Sequence, residues 1–217
     1  MPVLQASAIL FDLDGTLVDS TAVVVRLWTE WATSQGLDPE PLLAISHGRP
    51  ATETMRYFLP DLPNVQEQVA AHIRKEEQDV AGVVPIAGAR EILASLPPER
   101  WAIVTSCPGN LARVRRNAAG IPEPKVIVTA DDIQRGKPAP DCFLLAAEQL
   151  GFRPEECVVV EDSPAGVQAG LAAGMQVIGL LTTHKQQELP QADVFVPNLS
   201  HVRVTFGESG QLALEVA

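Results

Sequence analysis

Phe11-Asp12-Leu13-Asp14-Gly15-Thr16 closes the first apolar run of the chain, Ala8–Leu13, and its reading decides how the rest is read. Ala8, Ile9, Leu10 and Phe11 follow one another without a polar interruption, which suits a strand covered on both faces. Asp12 and Asp14 stand two residues apart. On a strand they would point the same way, yet the chain is about to turn at Gly15. Like charges that close repel, and their clustering needs a compensating cation or a shared proton. A hard cation such as Mg2+, bound by oxygens, would supply that compensation. Taken alone, the segment also admits a plainer account in which Asp14-Gly15 forms a turn and Asp12 caps it.

The theme returns downstream. In Cys157-Val158-Val159-Val160-Glu161-Asp162-Ser163 a second apolar run ends in two acids, ahead of Ser163-Pro164-Ala165-Gly166 and a small-residue helix. Asp162 or Ser163 could be an ordinary helix N-cap. In a parallel sheet, however, Glu161 and Asp162 would share an edge with Asp12 and Asp14, the edge where open α/β sheets place their chemistry. Trp101-Ala102-Ile103-Val104-Thr105-Ser106 ends in hydroxyl residues before a helix that begins near Asn110, and such hydroxyls with free N–H groups suit an anion. Arg135-Gly136-Lys137-Pro138 delivers a lysine on a loop, which alone would read as solvated. Together the four segments make a phosphate site of two acidic clusters, hydroxyl and amide donors, and a lysine.

Further apolar runs at Lys125–Thr129, Val177–Leu181 and Val194–Val196 alternate with helical stretches, the pattern of a parallel α/β sheet. Val202–Phe206 and Leu212–Val216 flank Gly207-Glu208-Ser209-Gly210 and read as a terminal hairpin. The alternation breaks between about Ser20 and Val83. There Val24, Leu27, Trp28 and Trp31 share one helical face, after an N-cap at Asp19 or Ser20 and before a stop at Gly36. Val69, His72, Ile73 and Glu76 share another. A helical subdomain over residues 20–83, inserted into a core of residues 1–19 and 84–217, is the simplest reading.

Bulk properties agree. The 217 residues are 46% hydrophobic and 20% charged, enough for a buried core, and the net charge of -11 argues against nucleic acid or an anionic membrane as partner. An acidic chain that binds phosphate must build a local positive site from a metal ion, a lysine and N–H groups. No basic n-region precedes the first apolar run, and no run is long enough to span a bilayer. Cys107, Cys142 and Cys157 have neither paired nor metal-ligand spacing, which suits a reducing, cytoplasmic compartment. The lack of an apolar surface stripe is compatible with a monomer.

The ordered set FDLDGT, IVTS, GKP and VVVED resembles the haloacid dehalogenase-like hydrolase superfamily, in its phosphatase branch, over nearly the whole chain. The resemblance implies a Rossmann-like parallel sheet core with a type 1 helical cap. ISHGRP, VTADDIQRGKPAPD and VVVEDSPAGVQAGLAAG look most like bacterial sugar phosphatases and the glycerol-phosphate and deoxysugar-phosphate phosphatases. Carried over, it makes Asp12 the nucleophile and Asp14 the general acid and then base. The Asp12 carboxylate, the Asp14 main-chain carbonyl and the Asp162 carboxylate would hold Mg2+, with Glu161 nearby or ligating directly. Thr105 and the Ser106 amide would bind phosphoryl oxygens, and Lys137 would neutralise charge. The second acid, Asp14, separates phosphatases from the dehalogenases of this superfamily. His47, Gly48 and Arg49 match a cap loop that faces the substrate, although an exposed polar loop accounts for them as well. Trp28 and Trp31 read as cap core.

The expected reaction is therefore hydrolysis of a small sugar or polyol phosphate. A sugar phosphomutase of the same superfamily is the nearest alternative, and a non-catalytic phosphate-responsive regulator or a binding-only member is another. A receiver-like regulator would carry its phosphorylatable aspartate after a middle strand and lack an inserted cap.

Overall fold

A computed structural model describes residues 2–46, 49–189, 192–207 and 210–217. The chain opens with two short strands, β1 (Val3–Ala6) and β2 (Ala8–Phe11), separated only by Ser7. After β3 (Val18–Asp19) come four helices: α1 (Thr21–Ser34), α2 (Pro39–Ser46), α3 (Ala51–Phe58) and α4 (Val65–Gln78). β4 (Val84–Pro85) follows, and β3 and β4 pair antiparallel where the chain leaves and re-enters the core. The remainder alternates: α5 (Ala89–Ala94), β5 (Trp101–Val104), α6 (Gly109–Ala118), β6 (Val126–Val128), α7 (Asp141–Leu150), β7 (Cys157–Glu161), α8 (Pro164–Ala172), β8 (Gln176–Leu180) and β9 (Val194–Val196). β10 (Val202–Phe206) and β11 (Leu212–Val216) close the chain.

The six strands read as a parallel sheet form one, in the order β6-β5-β2-β7-β8-β9. Successive residues of β2 serve opposite layers: Ile9 and Phe11 pack with Val158, Val160, Ile103 and Ile178. Ala8 and Leu10 pack on the other face with Val159, Val177 and Phe143 of α7. Both faces are covered, which is why these runs carry no polar residue. α8 lies close against the sheet because it is built of small residues; a Cβ at Gly170 would approach Val177 to 2.9 Å and Val159 to 3.2 Å.

β10 and β11 pair as the expected hairpin, although Glu208 and Ser209 of its turn lie outside the described residues. β1, like the two-residue strands β3 and β4, is an element the sequence did not announce. It pairs antiparallel with β11, giving a three-stranded sheet β1-β11-β10 under the main one, so the chain changes sheets across Ser7. All three cysteines are free thiols, and none of the described helices is long and apolar enough to cross a membrane.

Within the helical insertion Trp28 and Trp31 meet edge to face at 5.6 Å between ring centres, and both are buried, as expected of cap core. His72 of α4 lies 4.2 Å from the Trp28 ring, and its Nε2 is buried without a hydrogen bond. Burial, with the positive charge of Arg115 and Lys75, lowers its pKa from 6.5 to about 4. Between those values the unfolded chain binds a proton that the folded chain refuses. The imidazole's contribution is thus fully present above pH 6.5 and is lost as pH falls towards 4, by up to about 3 kcal/mol. Denaturant unfolding across that range is expected to show wild type losing stability relative to His72→Leu as pH falls towards 4. Parallel curves would contradict the buried neutral imidazole.

Candidate active site

Parallel register sets the strand ends level. Phe11 pairs with Ile103 of β5 on one side and Val160 of β7 on the other. Asp12, Thr105 and the Glu161–Asp162 pair therefore emerge together at the carboxyl edge. The Asp12 N–H still donates to the Val160 carbonyl, at 3.0 Å, and the Thr105 N–H to the Val128 carbonyl, at 2.9 Å. The strands thus hold the backbone of these residues, and their side chains reach a cavity between sheet edge and helical insertion. Asp12, Asp14, Thr105, Ser106, Lys137, Asp162 and Arg49 all line it.

Lys137 is not the solvated loop lysine that its position alone would allow. Its side chain is 4% exposed, and Nζ donates to Asp12 Oδ1 at 2.6 Å, Glu161 Oε1 at 2.6 Å and the Val104 carbonyl at 3.0 Å. Burial disfavours its charge, but Asp12 and Glu161 outweigh this and hold it firmly protonated. Asp12 Oδ2 has no such partner among the described residues.

Glu161 is fully buried and both of its oxygens are engaged. Oε2 accepts from the N–H groups of Asp162 and Ser163 and from the Ser163 hydroxyl, each at 3.0 Å. The carboxylate fills the space beside α8 that a Cβ at Gly166 would occupy, so only glycine fits there. Ser163 also caps α8 by accepting from the Gly166 N–H at 3.1 Å, as one reading of this segment expected. Asp162 Oδ1 accepts from the Thr16 hydroxyl at 3.1 Å and Oδ2 from Thr183. Gly15, at φ +85°, passes so close to Asp162 that any side chain would collide with its carboxylate.

Asp12, Glu161 and Asp162 present oxygens that all lie within 4.8 Å of one another. Two of these three buried carboxylates, Asp12 and Glu161, share one ammonium, and Asp162 has no cation in contact among the described residues. Burial and the neighbouring acids push the Asp12 carboxyl well above its usual range and Asp162 to about 7. An all-oxygen donor set with excess negative charge is what a hard divalent cation takes, so the residues fit such an ion.

Asp14 sits apart from this cluster. Oδ1 accepts from Ser20 at 2.7 Å and forms an ion pair with Arg115 Nη1 at 3.0 Å, while Oδ2 accepts from the Cys107 thiol at 3.1 Å. Burial would raise its pKa, but Arg115, Ser20 and Cys107 together lower it, so Asp14 rests ionised. The Cys107 thiol is pushed up by burial and by Asp14, which makes it a donor rather than a nucleophile. Thr105 Oγ accepts from the Cys107 N–H at 3.1 Å, leaving its own proton free to face an anion.

Two residues of this site were not foreseen as such, Arg115 of α6 and Glu76 of α4. Arg115 Nη2 donates to Glu76 Oε1 at 2.8 Å. The signal in the sequence was a face of α6 formed by Leu111, Ala112, Arg115 and Arg116, where arginines continue a buried stripe. Of the cap-loop candidates, Arg49 lies at the rim of the cavity, whereas His47 and Gly48 lie outside the described residues.

Comparison with known proteins agrees with this geometry. The haloacid dehalogenase-like hydrolase family model matches residues 6–174. Hexitol phosphatase A of Escherichia coli (strain K12) is 40% identical over 98% of this chain and 100% of its own length. Glycerol-1-phosphate phosphohydrolase 2 of Saccharomyces cerevisiae is 32% identical over 93% of this chain and 86% of its own. Among solved structures, a hydrolase from Pseudomonas syringae superposes with a TM-score of 0.78 at 26% identity, covering 89% of this chain and 94% of that one. With its six-stranded parallel core and its acidic sheet edge, this chain belongs to the haloacid dehalogenase-like hydrolase family.

Proposed function

We propose that this chain is a magnesium-dependent phosphatase that hydrolyses a small sugar or polyol phosphate monoester through an aspartyl phosphate on Asp12. The observation that carries the reading is the set of three buried carboxylates around Lys137, at the floor of a cavity walled by the helical insertion. The named activities of the relatives, a hexitol phosphatase and a glycerol-1-phosphate phosphohydrolase, support the substrate class.

In this reading residues 20–83 form the cap over a core of residues 1–19 and 84–217. The Asp12 and Asp162 carboxylates with the Asp14 main-chain carbonyl would hold Mg2+, which when bound supplies the positive charge that lets a phosphate dianion approach a carboxylate. Glu161, with both oxygens already engaged, holds Lys137 and the β7–α8 turn in place instead of ligating. Thr105 and the Ser106 N–H bind phosphoryl oxygens at the start of α6.

A carboxylate oxygen of Asp12 forms a bond to phosphorus as the bond from phosphorus to the leaving oxygen breaks. Asp14 gives that oxygen its proton. Arg115 disfavours protonated Asp14, but the negative phosphoryl group arriving in the cavity favours it. Water then attacks phosphorus, losing its proton to Asp14, and the bond to Asp12 breaks to free phosphate. Lys137 stabilises charge on the transferring group through both steps. Closure of the cap would exclude competing water.

Phosphate release from hexose, deoxysugar and glycerol phosphates, phosphoglycolate and nucleotides, with Mg2+ and with EDTA, tests the proposal. Release that depends on Mg2+ and falls mainly on sugars or polyols is expected. Isomerised sugar phosphate with little free phosphate would mark a phosphomutase instead. Absence of any turnover by folded protein would leave a binding-only protein.

A further inference from the structure

Away from Asp12 and Lys137 the cavity continues between α1, α4 and α6, where a leaving group would lie. Its wall there carries an unusual charge arrangement. Asp14 and Glu76, from the core and from the helical insertion, share one guanidinium: Arg115 reaches Asp14 Oδ1 at 3.0 Å and Glu76 Oε1 at 2.8 Å. Arg115 and Glu76 are 4% and 8% exposed, so solvent screens this group poorly. The other nearby cations do not balance it. Lys137 is committed to Asp12 and Glu161, and Arg49 is exposed at the rim, 5.4 Å from the Tyr57 ring centre. Among the described residues, this end of the cavity therefore holds two carboxylates against one buried cation.

Glu76 also has acceptor capacity to spare. Arg115 takes Oε1, and no donor among the described residues bonds Oε2. Glu76 itself lines the cavity. The surrounding wall includes Val24, Ile73 and Leu111, whose side chains offer no donor. A free carboxylate oxygen among apolar groups makes strong hydrogen bonds with hydroxyls and repels a second anion.

We propose that Glu76 is a specificity-determining residue: it accepts hydrogen bonds from the hydroxyls of a neutral polyhydroxy leaving group and rejects esters whose leaving group carries a carboxylate or a second phosphate. The proposal rests on the phosphatase reading and narrows it to uncharged leaving groups. Glu76 lies on a helix of the insertion, whereas the phosphoryl-binding groups come from the strand ends.

The test uses substrate pairs that differ only in CH2OH against COO−: glycerol 3-phosphate with 3-phosphoglycerate, and glucitol 6-phosphate with 6-phosphogluconate. Wild type is expected to favour the hydroxymethyl member of each pair in kcat/KM by at least about tenfold, which is about 1.4 kcal/mol. Glu76→Gln, confirmed as folded by thermal unfolding, is expected to reduce that preference by about tenfold. Glu76→Asp, which keeps the charge but withdraws it by a methylene, should retain the preference while raising KM for glucitol 6-phosphate. Equal kcat/KM within the pairs for wild type would overturn the proposal without any variant. So would an unchanged ratio in Glu76→Gln, or a collapse of the ratio in Glu76→Asp. Failure of wild type to hydrolyse even p-nitrophenyl phosphate would instead overturn the phosphatase reading, and this proposal with it.

Discussion

Asp12→Asn protein is expected to fold as wild type does and to release no measurable phosphate, a loss of at least about 10^4-fold. Asparagine keeps the shape that fits between Lys137 and the end of β2 but cannot attack phosphorus. The fold should survive for an electrostatic reason. Asp12, Glu161 and Asp162 crowd around one lysine, and in the metal-free protein the Asp12 charge is disfavoured by burial and by its two neighbours. Removing it relieves repulsion, so the metal-free variant should unfold no earlier than wild type. Substantial phosphate release from well-folded Asp12→Asn protein would end the assignment of Asp12 as nucleophile.

Asp14→Ala should cut turnover of alkyl phosphates by about 10^2 to 10^4-fold, because the departing alkoxide loses its proton donor. The loss should depend on the leaving group. Nitrophenolate departs without a proton, so p-nitrophenyl phosphate should still phosphorylate Asp12 while the second, water-activating step stays slow. The expected record is a rapid burst of nitrophenol, a single equivalent per site, followed by slow release. Ser20, Arg115 and Cys107 would lose their shared acceptor, yet Arg115 keeps Glu76, and no buried charge is left alone. An equal loss for alkyl and aryl phosphates, with no burst, would argue that Asp14 positions the site and moves no proton.

The main sheet was legible because β2, β5 and β7 are covered on both faces, so burial writes itself as unbroken apolar runs. The chemistry was legible for a related reason: polar residues cluster where those runs stop, at the ends of parallel strands that the fold brings level. β1 escaped because a single Ser7 separates it from β2, and its pairing with β11 spans nearly the whole chain. The bridge from Asp14 through Arg115 to Glu76 escaped for the same physical reason. It joins the turn after β2, α6 and α4 across distances in sequence that no local period encodes. Glu76 was visible only as one member of a helical face shared with Val69 and His72. Lys137 showed the opposite case, a loop residue whose burial follows only from where Asp12 and Glu161 end up.

The central claim is that phosphate passes through Asp12. Wild-type protein with Mg2+ and glucitol 6-phosphate, quenched during turnover and reduced with borohydride, would convert an aspartyl phosphate to homoserine at the modified residue. Mass spectrometry of the peptides is expected to place homoserine at position 12, and to find none in Asp12→Asn protein treated identically. Wild type caught in active turnover with no modification at Asp12, or with modification at another carboxylate, would contradict the account.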